Sequence, residues 1–154
     1  MIRLNLSRYC ANNSEANLPL ISHRIAGDTV DRIDTYQAWL ECSLRLGLPE
    51  ISDQKLGDIT ICAREGLINA LQHGCQGRCR SIRRPTSGLS ANEQDIHVRI
   101  TDSGTGHEFD LDHHEPAAAA NLLGEHRGLV MLKHIPTRTT AFNGGSHLEM
   151  DFAI

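Results

Sequence analysis

The sequence predicts an α+β fold: a two-layer α/β sandwich in which a mostly antiparallel sheet carries helices on one face. Three observations predict it. Short blocks alternate polar and apolar residues, most cleanly DIHVRITD at 95–102. Two long stretches between such blocks repeat apolar residues near a helical period. The last two blocks flank Asn143-Gly144-Gly145, a hairpin turn signal. The chain has 154 residues, which suits one domain over 1–154 with one sizeable core.

Residues 2–6 and 18–25 alternate and predict two strands. Asp28 is a candidate N-cap for a helix in which Val30, Ile33, Tyr36, Ala38, Leu40, Leu44 and Leu46 recur, with Gly47 and Pro49 ending it. Ser52 or Asp53 caps a second helix that continues through ITICAREGLINALQH to Gly74. A strand is expected at about 77–83, then a loop, PTSGLSANEQ, at 85–94. Ile96, Val98 and Ile100 share one face of the strand at 95–102. Residues 107–123 are acidic, His-rich and Ala-rich and contain Pro116, which predicts a mobile segment. RGLVMLKHI at 127–135 is helical and Pro136 stops it. TRTTAF and SHLEMDFAI form the closing hairpin.

Composition narrows the function. Apolar content of 40% and charged content of 22% describe a globular chain. A net charge of −4 argues against broad nucleic-acid binding, and RCRSIRR at 78–84 is a short basic exception. No window approaches the roughly 20 apolar residues of a membrane helix, and MIRLNLSRYC lacks a signal-peptide core. A cytoplasmic protein is expected. Its five scattered cysteines fit reduced thiols. Cys75, Cys79 and His73 lie close together in sequence but lack a fourth zinc ligand at a recognisable spacing.

Four constellations carry chemistry. In REGLINALQHG, Glu65 and Asn69 are four apart, about 40° around a helix, and share a face, while Leu67 and Leu71 fall on the other side. Taken alone, such a stripe is an ordinary solvated face. Arg64 falls near the apolar arc, so its stem must snorkel. In DSGTG, directly after a strand, Gly104 and Gly106 let the backbone pass close to a flat ligand. Asp102 can accept a hydrogen bond from an exocyclic amine such as adenine carries. The same five residues also suit a plain turn. In GEHRGL the free N–H groups of a helix start can take phosphate, and Arg127 adds a charged fork. GGSHLEM turns into the last strand.

The order of these pieces resembles the GHKL (histidine-kinase-like) ATPase superfamily: ExxxNAxxHG on a helix, DxGxG after a strand, a Pro-containing mobile stretch, xRGL opening a helix, and GS entering a terminal strand. It is most similar to the small branch of anti-sigma-factor serine kinases, from about residue 18 to the C-terminus. The resemblance implies the Bergerat ATP-binding fold, with ATP and Mg²⁺ as cofactors. It implies that Asn69 ligates Mg²⁺, Glu65 acts as general base, and Asp102 reads the adenine amine. Gly104 and Gly106 would lie under the base, and Ser146 near it. Gly128 and Leu129 would form the phosphate-side helix start, with Arg127 just before them in a catalytic role. Residues 107–126 would be the ATP lid. Two departures stand out: His126 replaces a glycine common in relatives, with Gly124 a nearby source of backbone freedom, and Asp110, Asp112 and Glu115 set like charge beside a triphosphate. No GKS or GKT motif is present, which excludes a P-loop enzyme.

The expected function is Mg·ATP-dependent transfer of the γ-phosphoryl to a serine of a STAS-type anti-sigma-factor antagonist, with a sigma factor as the sequestered partner. Homodimers are common in that branch. The alternative is a nucleotide-dependent binding module without kinase activity, and His126 is the feature that favours it. The detached catalytic domain of a sensor histidine kinase is a weaker third reading: His23 sits in a strand-like stretch, not on the helical hairpin such enzymes use.

Overall fold

The alternation at 95–102 becomes the middle strand of a five-stranded sheet. In the computed structural model the described residues are 2–9, 17–25, 33–74, 95–102, 104 and 127–153. The strands are β1 (Ile2–Tyr9), β2 (Asn17–Ile25), β3 (Asp95–Thr101), β4 (Arg138–Phe142) and β5 (His147–Ala153). Their order is β2-β1-β3-β5-β4, and every neighbouring pair is antiparallel. With helices α1 (Ile33–Gly47), α2 (Asp53–Asn69) and α3 (Arg127–His134), the architecture is mixed α+β.

Period two divides the sheet chemically. Ile96, Val98 and Ile100 lie opposite Phe152, Met150 and Leu148, and Leu4 lies opposite Ile100 on the other side. All seven are buried in one core with the inner residues of the helices. Each such side chain contributes about 1.5–3 kcal/mol of burial. The intervening residues make the other face polar: Arg99 pairs with Glu149 at 2.7 Å and His97 with Asp151.

The helices follow from their periods. α1 buries Ile33, Tyr36, Leu40 and Leu44. It stops at Gly47, and the buried places beyond it go to Leu48 and Ile51. Leu46, counted in the apolar repeat, is instead 81% exposed, because it faces away from that stripe. The expected Asp28 cap lies outside the described residues, as do the strand at 77–83, the loop at 85–94 and the segment 107–126. Ser52 does cap α2: its hydroxyl accepts from the Lys55 N–H at 3.2 Å. α3 has one buried residue, Leu132, whose carbonyl accepts from the Thr139 hydroxyl at 2.5 Å.

α2 differs from its expected form at one end. Residues Ala70–Gly74 form a π turn, where the side-chain pattern predicted plain α-helix to Gly74. Such turns are rare and often mark functional positions. This one begins directly after Asn69.

Candidate active site

Glu65 and Asn69 lie four residues apart on α2, and both are partly buried. Between them Gly66 lets α2 settle onto the sheet. A Cβ there would lie 2.6 Å from Ile100 Cδ1 and 2.9 Å from Leu148 Cδ2. This contact seats α2 at Gly66 against Ile100 of β3, two residues before Asp102. A glycine in the middle of an otherwise regular helix was the sequence signal for it.

The Glu65 carboxylate is held between two groups. A Cβ on Gly128 would lie 2.5 Å from Glu65 Oε2, so the start of α3 rests against that oxygen. The other oxygen, Oε1, is 3.4 Å from Arg64 Nη1, and Arg64 Nη2 is 3.4 Å from Asp34 on α1. Arg64 therefore does more than snorkel: it ties the carboxylate to α1. Asn69 contributes an amide whose Nδ2 is buried without a hydrogen-bond partner. Buried polar atoms are rarely left so, and an unmet one needs an explanation such as a ligand.

At the strand end, Asp102 is 4% exposed and its Oδ1 accepts from the Gly104 N–H at 2.7 Å. The Asp102 N–H donates to the Ser146 carbonyl at 3.0 Å, which extends the β3–β5 ladder by one bond. Ser146 is buried, and its hydroxyl donates to the Asn143 carbonyl at 3.2 Å. The hairpin Asn143-Gly144-Gly145 has φ of 52°, 62° and 82°, a left-handed run that needs these residue types. Asp102 and Ser146 are thus brought together. His147, next in β5, has its pKa lowered by burial and by the Arg99 cation, against opposing pulls from Glu149 and Asp102.

Arg127 is exposed at the first position of α3. With Glu65 it lines a cleft of about 530 Å³ between α1, α2 and α3. Asn69, Asp102 and Ser146 are not among that cleft's lining residues. Leu129 is partly buried and packs against the core. Gly106, Gly124, His126, Cys75 and Cys79 lie outside the described residues. No group of three or more His, Cys, Asp or Glu side chains suited to a metal occurs among the described residues.

The sequence matches the family described as "Histidine kinase-like ATPase domain" over residues 28–152, most of the chain. The chain belongs to this histidine kinase-like ATPase family. No curated protein and no solved structure matches it. Membership implies an ATP-binding, kinase-like function, and Mg²⁺ is typical of the family. The unmet end of the Asn69 amide is its Nδ2, an N–H donor; only a flip of the amide would bring its oxygen to that place, where an amide oxygen suits Mg²⁺ alongside water and phosphate. Among the described residues, no helix is long and apolar enough to cross a membrane.

Proposed function

We propose that this histidine kinase-like ATPase domain is a protein serine kinase of the anti-sigma type. It transfers the ATP γ-phosphoryl to a serine of a STAS-type antagonist protein and holds a sigma factor in its other partnership. One observation carries the reading. Glu65, seated against Gly128, stands one helical turn from the unmet amide of Asn69. That spacing near the end of α2, beside the start of α3, supports reading Glu65 as the proton acceptor and Asn69 as the metal's amide ligand. In the reaction the serine hydroxyl loses its proton to Glu65, its oxygen bonds to the γ-phosphorus, and the β–γ bridging P–O bond breaks to release ADP.

Each residue has a distinct task. Asp102 accepts from the adenine amine, and its buried position excludes water from that bond. Gly104 lies under the base and Ser146 beside it. Asn69 holds Mg²⁺, which when bound neutralises phosphate charge. Arg127 and the N–H groups at Gly128 and Leu129 add positive potential where charge develops. The whole chain, 1–154, acts as one domain, in the cytoplasm, with no direct part in nucleic-acid binding. In the same proposal it works as a homodimer, and Gly106 and Gly124, outside the described residues, serve the base and phosphate sides.

The test is transfer from γ-labelled ATP to a panel of purified STAS-domain proteins. Acid-stable label on a serine supports the kinase. Tight Mg·ATP binding with label nowhere would instead select the binding module, and label on a histidine would select a sensor-kinase fragment.

A further inference from the structure

The cleft between the three helices meets the proposed catalytic machinery at Glu65 and Arg127, and its other lining residues have no role in the nucleotide site. On α2 it takes Gly57, Thr60, Ile61, Arg64 and Glu65. Ile61 and Asn69 lie on opposite sides of Glu65, each about 40° around the helix. Glu65 is therefore the shared edge between the Asn69 face and the cleft. From Gly57 to Glu65 the cleft follows eight residues of helix, about 12 Å. Three to four residues of extended chain cover that length, at about 3.3 Å each.

The walls suit a peptide. Ile61 and Met131 supply apolar surface. The Thr60 hydroxyl is already spent on the Leu56 and Gly57 carbonyls, at 2.9 and 3.1 Å, so it places no unmet donor in the cleft. On the α1 wall, Glu41 accepts from Gln37 at 3.0 Å through Oε1 and brings a carboxylate to the cleft, while Arg127 brings a cation to it from α3. Arg64 is engaged with Asp34 and Glu65.

We propose that this cleft holds the acceptor protein's phosphorylated segment, extended along α2 with its serine at the Glu65 end and a cationic side chain toward Glu41. The assignment rests on the kinase reading above and adds to it the surface that selects the acceptor. Nucleotide and acceptor then meet at Glu65 from two sides.

Gly57 gives a direct test, because a Cβ built there meets nothing within 4 Å. Gly57→Trp fills the cleft from a position outside the catalytic and nucleotide machinery, and Gly57→Ala leaves it open. The assay uses the STAS-domain protein of the panel that accepts label. Gly57→Trp should raise the acceptor KM at least tenfold, Gly57→Ala should match wild type, and the Mg·ATP melting shift should be equal in all three. Glu41→Gln should raise the acceptor KM to a lesser degree. Label transfer by Gly57→Trp at the wild-type KM would overturn the cleft assignment and leave the kinase reading standing. Loss of the Mg·ATP shift in Gly57→Trp would also overturn it, by placing the cleft in the nucleotide site. No label in wild type with any panel protein would overturn both.

Discussion

Substitution of Gly128 by alanine separates two uses of that glycine. A Cβ at 128 would lie 2.5 Å from Glu65 Oε2, whereas ordinary van der Waals contact begins at 3.4 Å, so the oxygen must withdraw by about 0.9 Å. The carboxylate can do so, since it is the far end of a flexible side chain that is 21% exposed. Stability should not fall, because alanine is favoured over glycine in a helix by about 1 kcal/mol. Catalysis should fall. A misplacement of about 1 Å can cost on the order of 10²-fold, or about 2.7 kcal/mol of barrier. The assay is single-turnover transfer at saturating Mg·ATP, beside a separate measurement of Mg·ATP affinity. Transfer should drop about 100-fold while affinity holds. Glu65→Asp shortens the side chain by one methylene and removes the clash, so the double variant should be no slower than Glu65→Asp alone. Parallel loss of Mg·ATP affinity in Gly128→Ala would refute this reasoning and return the glycine to the phosphates. Additive losses in the double variant would refute it as well.

Other expectations follow from single contacts. Asn69→Ala should weaken Mg·ATP binding and transfer together, whereas Glu65→Gln should keep affinity and lose about 10²–10⁴-fold in transfer; equal behaviour of the two variants would contradict the division of roles. Leu132→Ala removes the one buried side chain of α3 and should cost about 2–5 kcal/mol in denaturant unfolding; a loss under 1 kcal/mol would mean α3 is held elsewhere. The Cys62 thiol is pushed up to about 12, first by burial and then by Asp58 and Glu65. Its folded value lies above the ordinary 9.0, so its contribution to stability is complete below about pH 9 and declines as pH rises toward 12. At pH 8 iodoacetamide should label exposed Cys42 and spare Cys62; equal labelling by peptide mass mapping would contradict the burial. His147 has the opposite sign. Its pKa is depressed below 6.5, so its stabilisation is present above pH 6.5 and lost as pH falls through the folded value. His147→Gln should flatten the acid side of the stability profile, and an unchanged slope there would contradict it.

Much of this was legible in the sequence where a single segment decides the outcome. Ile96, Val98 and Ile100 fixed the inner face of β3 by period alone, Ser52 announced the start of α2, and Asn143-Gly144-Gly145 announced the hairpin. The match of Glu65 with Asn69 was visible as a spacing. What held Glu65 in place was not. The contacts with Gly128 and Arg64, and Arg64's reach to Asp34, depend on how three helices pack. The placement of β1 between β2 and β3 is likewise a non-local pairing. The π turn after Asn69 is a change of backbone hydrogen-bond register, to which side-chain periodicity is nearly blind. Leu46 misled because apolar identity was counted without regard to angle: two residues after Leu44 it lies about 200° around α1, away from the buried stripe. Gly66 was readable in principle: a glycine costs a mid-helix position about 1 kcal/mol, so a close approach was the natural reason for it.

The central claim is that this chain binds Mg·ATP through Asn69 and Asp102. The most direct measurement is melting temperature with Mg·ATP, with Mg·GTP, and with ATP plus EDTA, for wild type, Asn69→Ala and Asp102→Ala. A ligand at 100 times its Kd adds about 2.7 kcal/mol, which for a domain of this size is a rise of several degrees. The account predicts that rise for wild type with Mg·ATP, little with Mg·GTP, a reduced shift in EDTA, and almost none for Asp102→Ala. Asn69→Ala with Mg·ATP should resemble wild type in EDTA. Equal shifts with ATP and GTP, or a full Mg·ATP shift in Asp102→Ala, would contradict it.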